Sequence, residues 1–536
     1  MPLLHSNNRL VVGCLALLGA VAAGLSLGGP ESSGPAAAEG ANGSKQPNIV
    51  LIQADDQTLR QFTEGVMPKA ERILVDHGTE FTNYLATAGQ CCPSRSTLIT
   101  GQYAHNHRVT SNNVGYKGLF KKHNVLPVWL RGDGYRTMHV GAKYINGYPS
   151  YADPPTRVAP GWDHWYTAFS PTHYYDYKLS VNGGYEFRGH QPGDYSGRVL
   201  AKKAGHLIET YGPQRRPFYL QLDTLGPHVA EQDDPYGECD RKAIPDPRDE
   251  GRYDSASRPK PLSFDEQDMA DKPRFLSSAP PLTATDERKL LAKWRCALAS
   301  LAEVDRTVAK LFTAVKRAGE LSRTVFIYLS DNGLFYGEHR IKSGKVFPYE
   351  EALHLPLLMR VPRRYRDGAS RVSDVGKLVG NIDIAPTILA LAHADPCRPR
   401  HGCRTMDGRS LLPLLTGSGR WPDDRALLTE YREPDLPRYS TCEFAGIRTG
   451  DEIYVEHHRV ANPSTGECID LSPPDVELYN LASDPFELDN QCYGGETANC
   501  RRDEVQADLD HRLAKLRECA GIRGRDEKVD GRPFCE

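Results

Sequence analysis

Two pairs of residues with side-chain oxygens come at the ends of short apolar runs. Asp55 and Asp56 follow one such run, and Asp331 and Asn332 follow another. Three carboxylates and an amide oxygen form the all-oxygen ligand set that a hard divalent cation such as calcium prefers. Taken singly, Asp-Asp and Asp-Asn-Gly are also ordinary turn sequences. Together the two pairs predict a divalent cation site, with simple turns as the alternative.

A cysteine lies between these pairs, in the stretch Cys-Cys-Pro-Ser-Arg that covers residues 91–95. Proline is favoured in the first turn of a helix, so Pro93 predicts that Cys91 lies at a helix N-terminus. The free backbone N–H groups at that end stabilise negative charge, and a nearby cation adds to the effect. The position therefore suits a nucleophile at residue 91. A buried structural cysteine and a disulfide between Cys91 and Cys92 are the alternatives.

The elements that must position these residues have the pattern of a parallel α/β sheet. Short, partly β-branched apolar runs at 47–52, 217–222 and 324–329 predict buried strands. Residues 290–318 carry Leu, Ala and Val at three- and four-residue spacing, which predicts a helix that stops at Gly319. Strands that alternate with helices predict a mostly parallel sheet covered on both faces. Ligands bind such sheets beyond the carboxyl ends of the strands, where both acidic pairs stand.

The remainder of the chain divides into an irregular segment and a smaller region. Residues 230–281 are rich in Asp, Pro and Arg and predict a long surface excursion. From about Arg425, short strand-like runs at 426–428 and 452–455 precede a helical pattern at 503–517. The predicted fold class is therefore α/β, with a large mixed, mostly parallel sheet sandwiched by helices and a smaller C-terminal α+β subdomain.

The first residues differ from the rest in composition. Arg9 precedes an apolar run over residues 10–27, and a small, polar stretch with Ala36-Ala37-Ala38 follows. This order is typical of a secretory signal peptide, and an uncleaved membrane anchor is the alternative. We therefore expect a secreted, extracellular protein with no stable membrane insertion after cleavage. The predicted organisation is a signal peptide at 1–38, a linker at 39–46, a catalytic domain at 47–424 and the subdomain at 425–536.

Thirteen cysteines support export. Cys14 leaves with the predicted signal peptide, and setting aside Cys91 and Cys92 leaves ten, which allow many pairings. Their crowding towards the C-terminus favours disulfides in an oxidising compartment over a zinc site, since no C-x-x-C pair has flanking histidines. The ten fall into sequence-adjacent pairs, which are Cys239 with Cys296, Cys397 with Cys403, Cys442 with Cys468, Cys492 with Cys500, and Cys519 with Cys535.

Composition limits the partners. The 536 residues carry 66 Lys and Arg against 69 Asp and Glu, a formal net charge of -3. That balance argues against a nucleic-acid-binding protein, which normally has a basic surplus. It is compatible with an anionic substrate, because a small basic pocket hardly changes the total.

Residues 91–101 resemble the signature of the formylglycine-dependent sulfatases, a family of the alkaline phosphatase superfamily. That signature is Cys-x-Pro-Ser-Arg with a Thr-Gly six residues after the serine, and the pentapeptide is what the formylglycine-generating enzyme recognises. Further blocks follow the family's order and spacing over most of the chain, namely Pro227-His228, Ser330-Asp331-Asn332-Gly333, Gly337-Glu338-His339, Gly344-Lys345, Tyr349-Glu350-Glu351, residues 477–481 and Asp484-Pro485.

The resemblance implies an alkaline-phosphatase-like fold and a modified nucleophile. It implies that the generating enzyme acts as a maturation partner and oxidises Cys91 to formylglycine, whose hydrate supplies the attacking oxygen. It also implies one divalent cation, calcium, held by the modified Cys91 with Asp55, Asp56, Asp331 and Asn332.

Four basic residues acquire roles in the same way. The resemblance assigns Arg95 to orienting the hydrate, and Lys143, His228 and Lys345 to the sulfate. His228 is a candidate acid for the leaving alcohol. Three cationic groups around the developing charge suit a displacement at sulfur. The stretch Gly141-Ala142-Lys143 sets this lysine one residue later than the family usually has it.

A second group of motifs resembles one branch of the family, the N-acetylglucosamine-6-sulfatases and the extracellular heparan 6-O-endosulfatases. The resemblance implies that the substrate is a glycan with a 6-O-sulfate on N-acetylglucosamine. The chain has no long basic insert, which argues against endo action. The motifs are His105-Asn106-His107, Asn112-Asn113, residues 144–148 and 174–177, and Asp271-Lys272-Pro273.

Other functions compete with this one. A broad aryl sulfatase and a phosphate or phosphonate monoester hydrolase would share the fold, and some of the latter also use formylglycine. A different class is an exported sugar-binding protein whose Cys91 is never modified. The intact signature and the complete set of oxygen ligands argue against that silent protein.

Overall fold

The alternation of strands and helices that the sequence predicts is present along most of the chain. The computed structural model describes residues 46–146, 148, 157–169, 172–398, 402–417, 419–433, 440–462, 464–492 and 500–536. The predicted signal peptide and all but the last residue of the predicted linker lie outside these ranges.

Strands occur throughout the described ranges. They are β1 (Asn48–Ala54), β2 (Thr79–Phe81), β3 (Tyr84–Leu85), β4 (Arg136–Gly141), β5 (His164–Ala168), β6 (Tyr177–Val181), β7 (Gly184–Arg188), β8 (Phe218–Asp223), β9 (Thr324–Ser330), β10 (Leu357–Arg360), β11 (Asp374–Val375), β12 (Val379–Gly380), β13 (Cys397–Arg398), β14 (Gly402–Cys403), β15 (Leu427–Arg432), β16 (Thr441–Arg448), β17 (Glu452–Ala461) and β18 (Cys468–Asn480).

The α-helices are interspersed among these strands. They are α1 (Leu59–Gln61), α2 (Pro68–Ala70), α3 (Cys91–Thr100), α4 (Ala104–His107), α5 (Gly115–Gly118), α6 (Leu126–Gly132), α7 (Ser196–Tyr211), α8 (Ala284–Arg317), α9 (Glu350–Leu353), α10 (Ile384–Ala392), α11 (Leu412–Thr416) and α12 (Asp503–Leu516). In the described ranges, no helix combines the length and the apolar character needed to cross a bilayer.

Ten strands of the described chain form one large mixed sheet in the order β11-β2-β10-β9-β1-β8-β4-β5-β6-β7. The central strands β9, β1, β8, β4 and β5 run parallel, and antiparallel strands flank them on both sides. The predicted strands at 47–52, 217–222 and 324–329 are β1, β8 and β9, which lie side by side. The mostly parallel sheet is therefore confirmed, and its central strands end at one common edge.

Helices cover both faces of this sheet. Successive side chains of a strand point to opposite faces, so Val50 and Ile52 of β1 join the core that contains residues of α7 and α8. Ile49 and Leu51 join the second core, with residues of α3, α6 and α10. The predicted helix at 290–318 is α8, which begins earlier, at Ala284, because Thr283 and Asp286 form a capping box.

A smaller four-stranded antiparallel sheet forms near the C-terminus in the order β15-β16-β17-β18. The predicted strands at 426–428 and 452–455 lie within or next to β15 and β17, and the predicted helix at 503–517 is α12. Apolar residues of α12 and of this sheet share a third core. The α+β character of this region is confirmed, while the boundary at 424/425 stays a prediction.

The segment at 230–281, which is described in full, contains no strand and no α-helix. It is nevertheless not a simple surface excursion. Ile244, Met269 and Leu276 are buried apolar anchors, and the charged side chains of Glu266 and Lys272 are buried as well. The polar composition of the segment concealed these anchors, because its few apolar residues lie among many Asp, Pro and Arg residues.

The expected disulfides are confirmed, and their connectivity, which the sequence left open, joins each of the five sequence-adjacent cysteine pairs. Cys91 and Cys92 are both free and buried, so the alternative of a disulfide between them is wrong.

Candidate active site

The predicted oxygen ligands meet at the common carboxyl edge of the sheet. Asp55 and Asp56 directly follow β1, and Asp331 and Asn332 directly follow β9. The register between the two strands pairs Ala54 with Ser330, so the two acidic pairs leave the sheet at the same level. All four side chains are buried, with 0–1% of each residue exposed. The backbone N–H of Asp56 donates to Asp331 Oδ1 at 3.2 Å and joins the two loops.

Helix α3 brings Cys91 to this edge. Cys91 is the first residue of the helix, as the proline predicts. The hydroxyl of Ser94, three residues after Cys91, donates to the backbone carbonyl of Asp331 at 2.5 Å. Asn381 donates through Nδ2 to Ser94 Oγ at 3.0 Å. These bonds fix the start of α3 against the end of β9, so residue 91 faces the acidic pairs.

The Cys91 thiol has charged groups of both signs around it. Its Sγ lies 2.9 Å from Lys345 Nζ, 3.5 Å from Lys143 Nζ and 3.5 Å from Asp55 Oδ1. Burial and the Asp55 carboxylate raise the pKa of Cys91 to about 11, although the two lysines act in the opposite direction. The unmodified thiol is therefore protonated at neutral pH and is a poor nucleophile, since the thiolate is the reactive form.

Lys143 reaches the site in spite of its shifted position in the sequence. Its Nζ lies 2.6 Å from Asp55 Oδ2, in addition to its contact with Cys91. The backbone N–H of Ala142 donates to Asp223 O at 2.9 Å, which holds the turn after β4 against the end of β8. Lys345 enters from the other side and forms an ion pair with Asp56. Two ammonium groups thus face residue 91.

Arg95 holds the carboxylates of three strand ends together. Its Nε donates to Asp331 Oδ2 at 2.7 Å and its Nη2 to Asp55 Oδ2 at 3.3 Å, while Nη1 lies 3.3 Å from Asp223 Oδ2. The side chain is 3% exposed. Such a guanidinium fixes the carboxylates in one geometry and offsets part of their charge.

His228 is the most exposed of the predicted site residues. Its side chain is 13% exposed, compared with 4% for Lys143 and 7% for Lys345. Nδ1 hydrogen-bonds to the carbonyl of Val229 at 2.6 Å, which leaves Nε2 facing Asp56 Oδ2 at 3.7 Å. Burial and the Lys143 charge lower the pKa of His228 to about 4, so the ring is neutral at pH 7.

The electrostatics of the acidic pairs favour a bound cation. Burial opposes ionisation of Asp55, but Lys143, His228 and Arg95 outweigh it and hold the pKa of Asp55 well below its usual range. Burial and the Asp55 charge raise the pKa of Asp331 to about 6. A divalent cation between these oxygens would relieve the repulsion.

The donor set fits such a cation. One donor atom each of Asp55, Asp56, Cys91 and His228 lies within 4.8 Å of the others. Asn332 donates through Nδ2 to Asp56 Oδ1 at 2.7 Å, while its buried Oδ1 has no hydrogen-bond partner. A buried acceptor without a donor is costly unless it binds a cation. The four predicted oxygen ligands therefore lie next to one another at the sheet edge, but Asp331 is not among the residues whose donor atoms converge within 4.8 Å.

Asp223 is a site residue that the sequence analysis missed. It ends β8, contacts Arg95, and accepts from His139 Nε2 at 2.9 Å. Gln221 donates to it as well, at 3.1 Å. Its position at the carboxyl end of a predicted strand was the available signal, the same one that singled out Asp55.

The motif at 105–107 does not line the site, and its residues have structural contacts instead. His107 hydrogen-bonds through Nε2 to Thr97 Oγ1 at 3.0 Å and supports α3. His105 binds Glu430 and the carbonyl of Cys519, both at 3.0 Å. Asn106 donates to the same Cys519 carbonyl at 2.9 Å. This motif therefore ties α3 and α4 to the C-terminal residues.

Two other branch motifs contact residues of the site. Tyr174 donates its hydroxyl to the carbonyl of His228 at 2.8 Å, and the carbonyl of Tyr144 accepts from Arg95 at 3.5 Å. Lys272 lies elsewhere, bound to Glu266 and to the carbonyl of Leu488, both at 2.9 Å. Gly147, in the motif at 144–148, lies outside the described residues.

Two family models match the chain. Residues 47–394 match the family described as Sulfatase, and residues 337–519 match the one described as N-sulphoglucosamine sulphohydrolase, C-terminal. An arylsulfatase of Volvox carteri is 31% identical over 91% of this chain and 77% of its own length. An N-acetylglucosamine-6-sulfatase of Capra hircus is 30% identical over 91% of this chain and 86% of its own length.

Solved structures share the fold. One protein, determined in complex with its substrate D-glucosamine-2-N,6-O-disulfate, superposes with a TM-score of 0.67 at 24% identity, over 88% of this chain and 97% of its own. A phosphonate monoester hydrolase of Agrobacterium radiobacter superposes with a TM-score of 0.62 at 20% identity, over 88% of this chain and 95% of its own. At these identities the likeness concerns the fold.

Proposed function

Since this chain belongs to the sulfatase family and is a sulfuric ester hydrolase, we propose that it works through formylglycine made from Cys91 and one bound calcium ion. The observation that carries the proposal is the surroundings of Cys91, which begins α3 between Lys143, Lys345 and Asp55, all within 3.5 Å of its Sγ. These charged groups can stabilise and orient the hydroxyls of a hydrated aldehyde, whereas a protonated thiol remains a poor nucleophile beside them.

The hydrate at residue 91 would supply the attacking oxygen and a second hydroxyl whose deprotonation expels sulfate, while the cation would hold the oxyanion. Asp55, Asp56, Asp331 and Asn332 provide the oxygen ligands of the cation. The modified side chain at residue 91 completes this ligand set.

The basic residues divide the work on the substrate. Lys143 and Lys345 bind the sulfate oxygens and stabilise the charge that develops on them. Arg95 orients the hydrate indirectly, since it fixes the carboxylates beside it. His228, at the most open side, donates a proton to the leaving alcohol once the bound sulfate anion raises its pKa from about 4.

The mass of one tryptic peptide tests the modification. Cleavage after Arg72 and Arg95 releases residues 73–95, which contain Cys91 and Cys92. Protein from a host with the generating enzyme is expected to show one of the two thiols replaced by an aldehyde, and fragment ions are expected to locate it at residue 91. Protein from a host without that enzyme is the control and should be unmodified and inactive. An active preparation with only unmodified or alkylated Cys91 would overturn the mechanism.

For the substrate we propose the 6-O-sulfate of N-acetylglucosamine at the end of a glycan. Support comes from the N-acetylglucosamine-6-sulfatase of Capra hircus, which is 30% identical over 91% of this chain. The formal net charge of -3 also suits one sulfated sugar better than a long polyanion, which would need an extended basic stripe. The arylsulfatase at 31% identity supports the broader aryl activity as a second candidate.

A panel of four substrates separates these possibilities. We expect kcat/KM for N-acetylglucosamine-6-sulfate to exceed that for the 4-sulfate and for an aryl sulfate by at least about tenfold, about 1.4 kcal/mol of barrier. If only the aryl sulfate is cleaved, the sulfatase activity stands but the proposed sugar substrate is refuted. A faster aryl phosphate would favour the phosphoester hydrolase, and no turnover by correctly modified protein would favour the silent binding protein.

Secretion is also part of the proposal. Its support is the apolar N-terminal run and the five disulfides, which persist in oxidising compartments.

A further inference from the structure

A second group of metal-ligating side chains lies outside the active site. One donor atom each of His339, Glu351 and Glu487 lies within 4.8 Å of the others, and the group shares no residue with the first one. His339 belongs to the loop after β9, Glu351 to α9, and Glu487 to the segment after β18. No part of the proposed sulfatase mechanism uses these three residues.

Each of the three side chains has one polar atom without a hydrogen bond. His339 Nε2, Glu351 Oε2 and Glu487 Oε1 are all buried and lack a hydrogen-bond partner. The two nearest, His339 Nε2 and Glu351 Oε2, are 3.7 Å apart, which is too long for a hydrogen bond. His339 is 0% exposed and Glu487 is 1% exposed. Three buried atoms without partners, on side chains whose donor atoms come within 4.8 Å of one another, indicate a missing ligand.

The opposite atom of each side chain is already engaged. His339 Nδ1 binds Glu266 Oε2 at 2.8 Å, Ser263 Oγ donates to Glu351 Oε1 at 2.9 Å, and the backbone N–H of Glu350 donates to Glu487 Oε2 at 2.9 Å. Metal-ligating histidines characteristically donate the other ring N–H to a carboxylate, and ligating carboxylates are themselves hydrogen-bonded. Stacking on Tyr349, with ring centroids 4.3 Å apart, further fixes the imidazole plane.

We propose that His339, Glu351 and Glu487 bind one zinc ion, separate from the catalytic cation. Nitrogen and oxygen ligands of a tetrahedral zinc ion lie about 3.3–3.6 Å from one another. The 3.7 Å between His339 Nε2 and Glu351 Oε2 is close to that separation. An imidazole with two carboxylates suits zinc, whereas the all-oxygen catalytic set suits calcium. Water from the adjacent cavity of about 630 Å³, which Glu351 lines, completes the coordination and provides a path for the ion.

The charge around the site favours a cation. Burial and the nearby Glu350 and Glu351 raise the pKa of Glu487 well above its usual range, which shows that negative charge converges on this point. Although burial acts in the opposite sense, Glu266 and Glu351 raise the pKa of His339 to about 10. An imidazolium between carboxylates is therefore the alternative occupant, with a proton in place of the metal.

The zinc ion would join parts of the chain that are distant in sequence, because its ligands come from residues 339–351 and from Glu487 and are supported by Glu266 and Ser263. Glu266 and Ser263 lie in the segment at 230–281, which has no α-helix and no strand in its fully described length. The backbone N–H of His339 donates to Ser263 O at 2.7 Å, so the two loops already contact each other. The ion would thus fasten this segment and the residues after β18 to the loop after β9, a structural role.

Zinc titration of the intact protein, freed of metal and then saturated with calcium, tests the proposal. Calcium fills the oxygen site, and we expect the wild type to bind one zinc per chain and to gain thermal stability. His339→Gln and Glu487→Gln should each lose this zinc and the stabilisation it brings. His354→Gln is the matched control, because His354 lies on the same cavity and contacts Glu350, but both of its ring nitrogens have partners.

The wild-type measurement alone can overturn the proposal. Absence of stoichiometric zinc binding there, whatever the variants do, would leave the imidazolium as the occupant. Equal zinc binding by wild type and a folded His339→Gln, as judged by circular dichroism, would also refute the assignment. Selective loss of zinc from both site variants, with sulfatase modification at residue 91 unchanged, would support it.

Discussion

Replacement of Cys91 by alanine is expected to abolish sulfate release, with a fall in kcat/KM of at least about 10⁴-fold. An alanine can be neither oxidised to an aldehyde nor hydrated, so the attacking oxygen is lost while Lys143, Lys345 and the acidic pairs remain. The measurement is the rate on the preferred sulfated sugar and on an aryl sulfate, at substrate concentrations well below KM.

The neighbouring cysteine provides the matched control. Cys92 is equally buried, but its Sγ accepts from the Asn146 N–H at 3.2 Å and its own N–H donates to Asn112 Oδ1 at 2.9 Å. Cys92→Ala should keep most of the turnover and lose about 1–2 kcal/mol of stability through a small cavity. If Cys92→Ala were inactive and Cys91→Ala active, the nucleophile would be assigned to the wrong residue.

The part of the site that the sequence predicts consists of residues next to strand ends. Asp55 and Asp331 could be located because a short apolar run marks each strand, and parallel strands end at one edge. Cys91 could be located because Pro93 marks the first helical turn. These inferences need only local patterns and one general rule about sheets, so they can be made without knowledge of the tertiary contacts.

The part that the sequence does not predict depends on contacts between distant residues. Arg95 bridges to Asp223 across 128 positions of sequence, and no local pattern around either residue indicates the partner. The same holds for His105, whose ring nitrogens contact Glu430 and the carbonyl of Cys519. A motif typical of a substrate branch can therefore persist because it holds the scaffold, and only the folded chain separates the two explanations.

The second metal site shows the same limit. His339 stands in a family block, yet its donor partners Glu351 and Glu487 and the supporting Glu266 come from three other segments. From the sequence, a charged residue such as Glu266 in an irregular, polar stretch is expected to be exposed on the surface. Its burial becomes visible only when Met269 and Leu276 anchor that stretch in the structure.

The second large effect is expected at the catalytic cation. Asp331→Ala removes one oxygen ligand and the carboxylate that Arg95 Nε binds at 2.7 Å. Bound calcium and kcat/KM should fall together, the latter by about 10³-fold, or about 4 kcal/mol of barrier. Atomic emission of the purified variant gives the metal content, and initial rates give the activity.

A loss of stability alone could imitate this result, so the control removes another buried aspartate. Asp305 accepts from the Lys69 and Ala70 N–H groups, both at 2.8 Å, and pairs with Lys69 Nζ at 3.0 Å, away from the acidic pairs. Asp305→Ala should lower the thermal midpoint yet keep calcium and turnover. Full activity of a wild-type preparation shown to be free of metal would refute the role of the cation. Loss of both calcium and rate in Asp331→Ala, but not in Asp305→Ala, would tie catalysis to the oxygen ligands at the sheet edge.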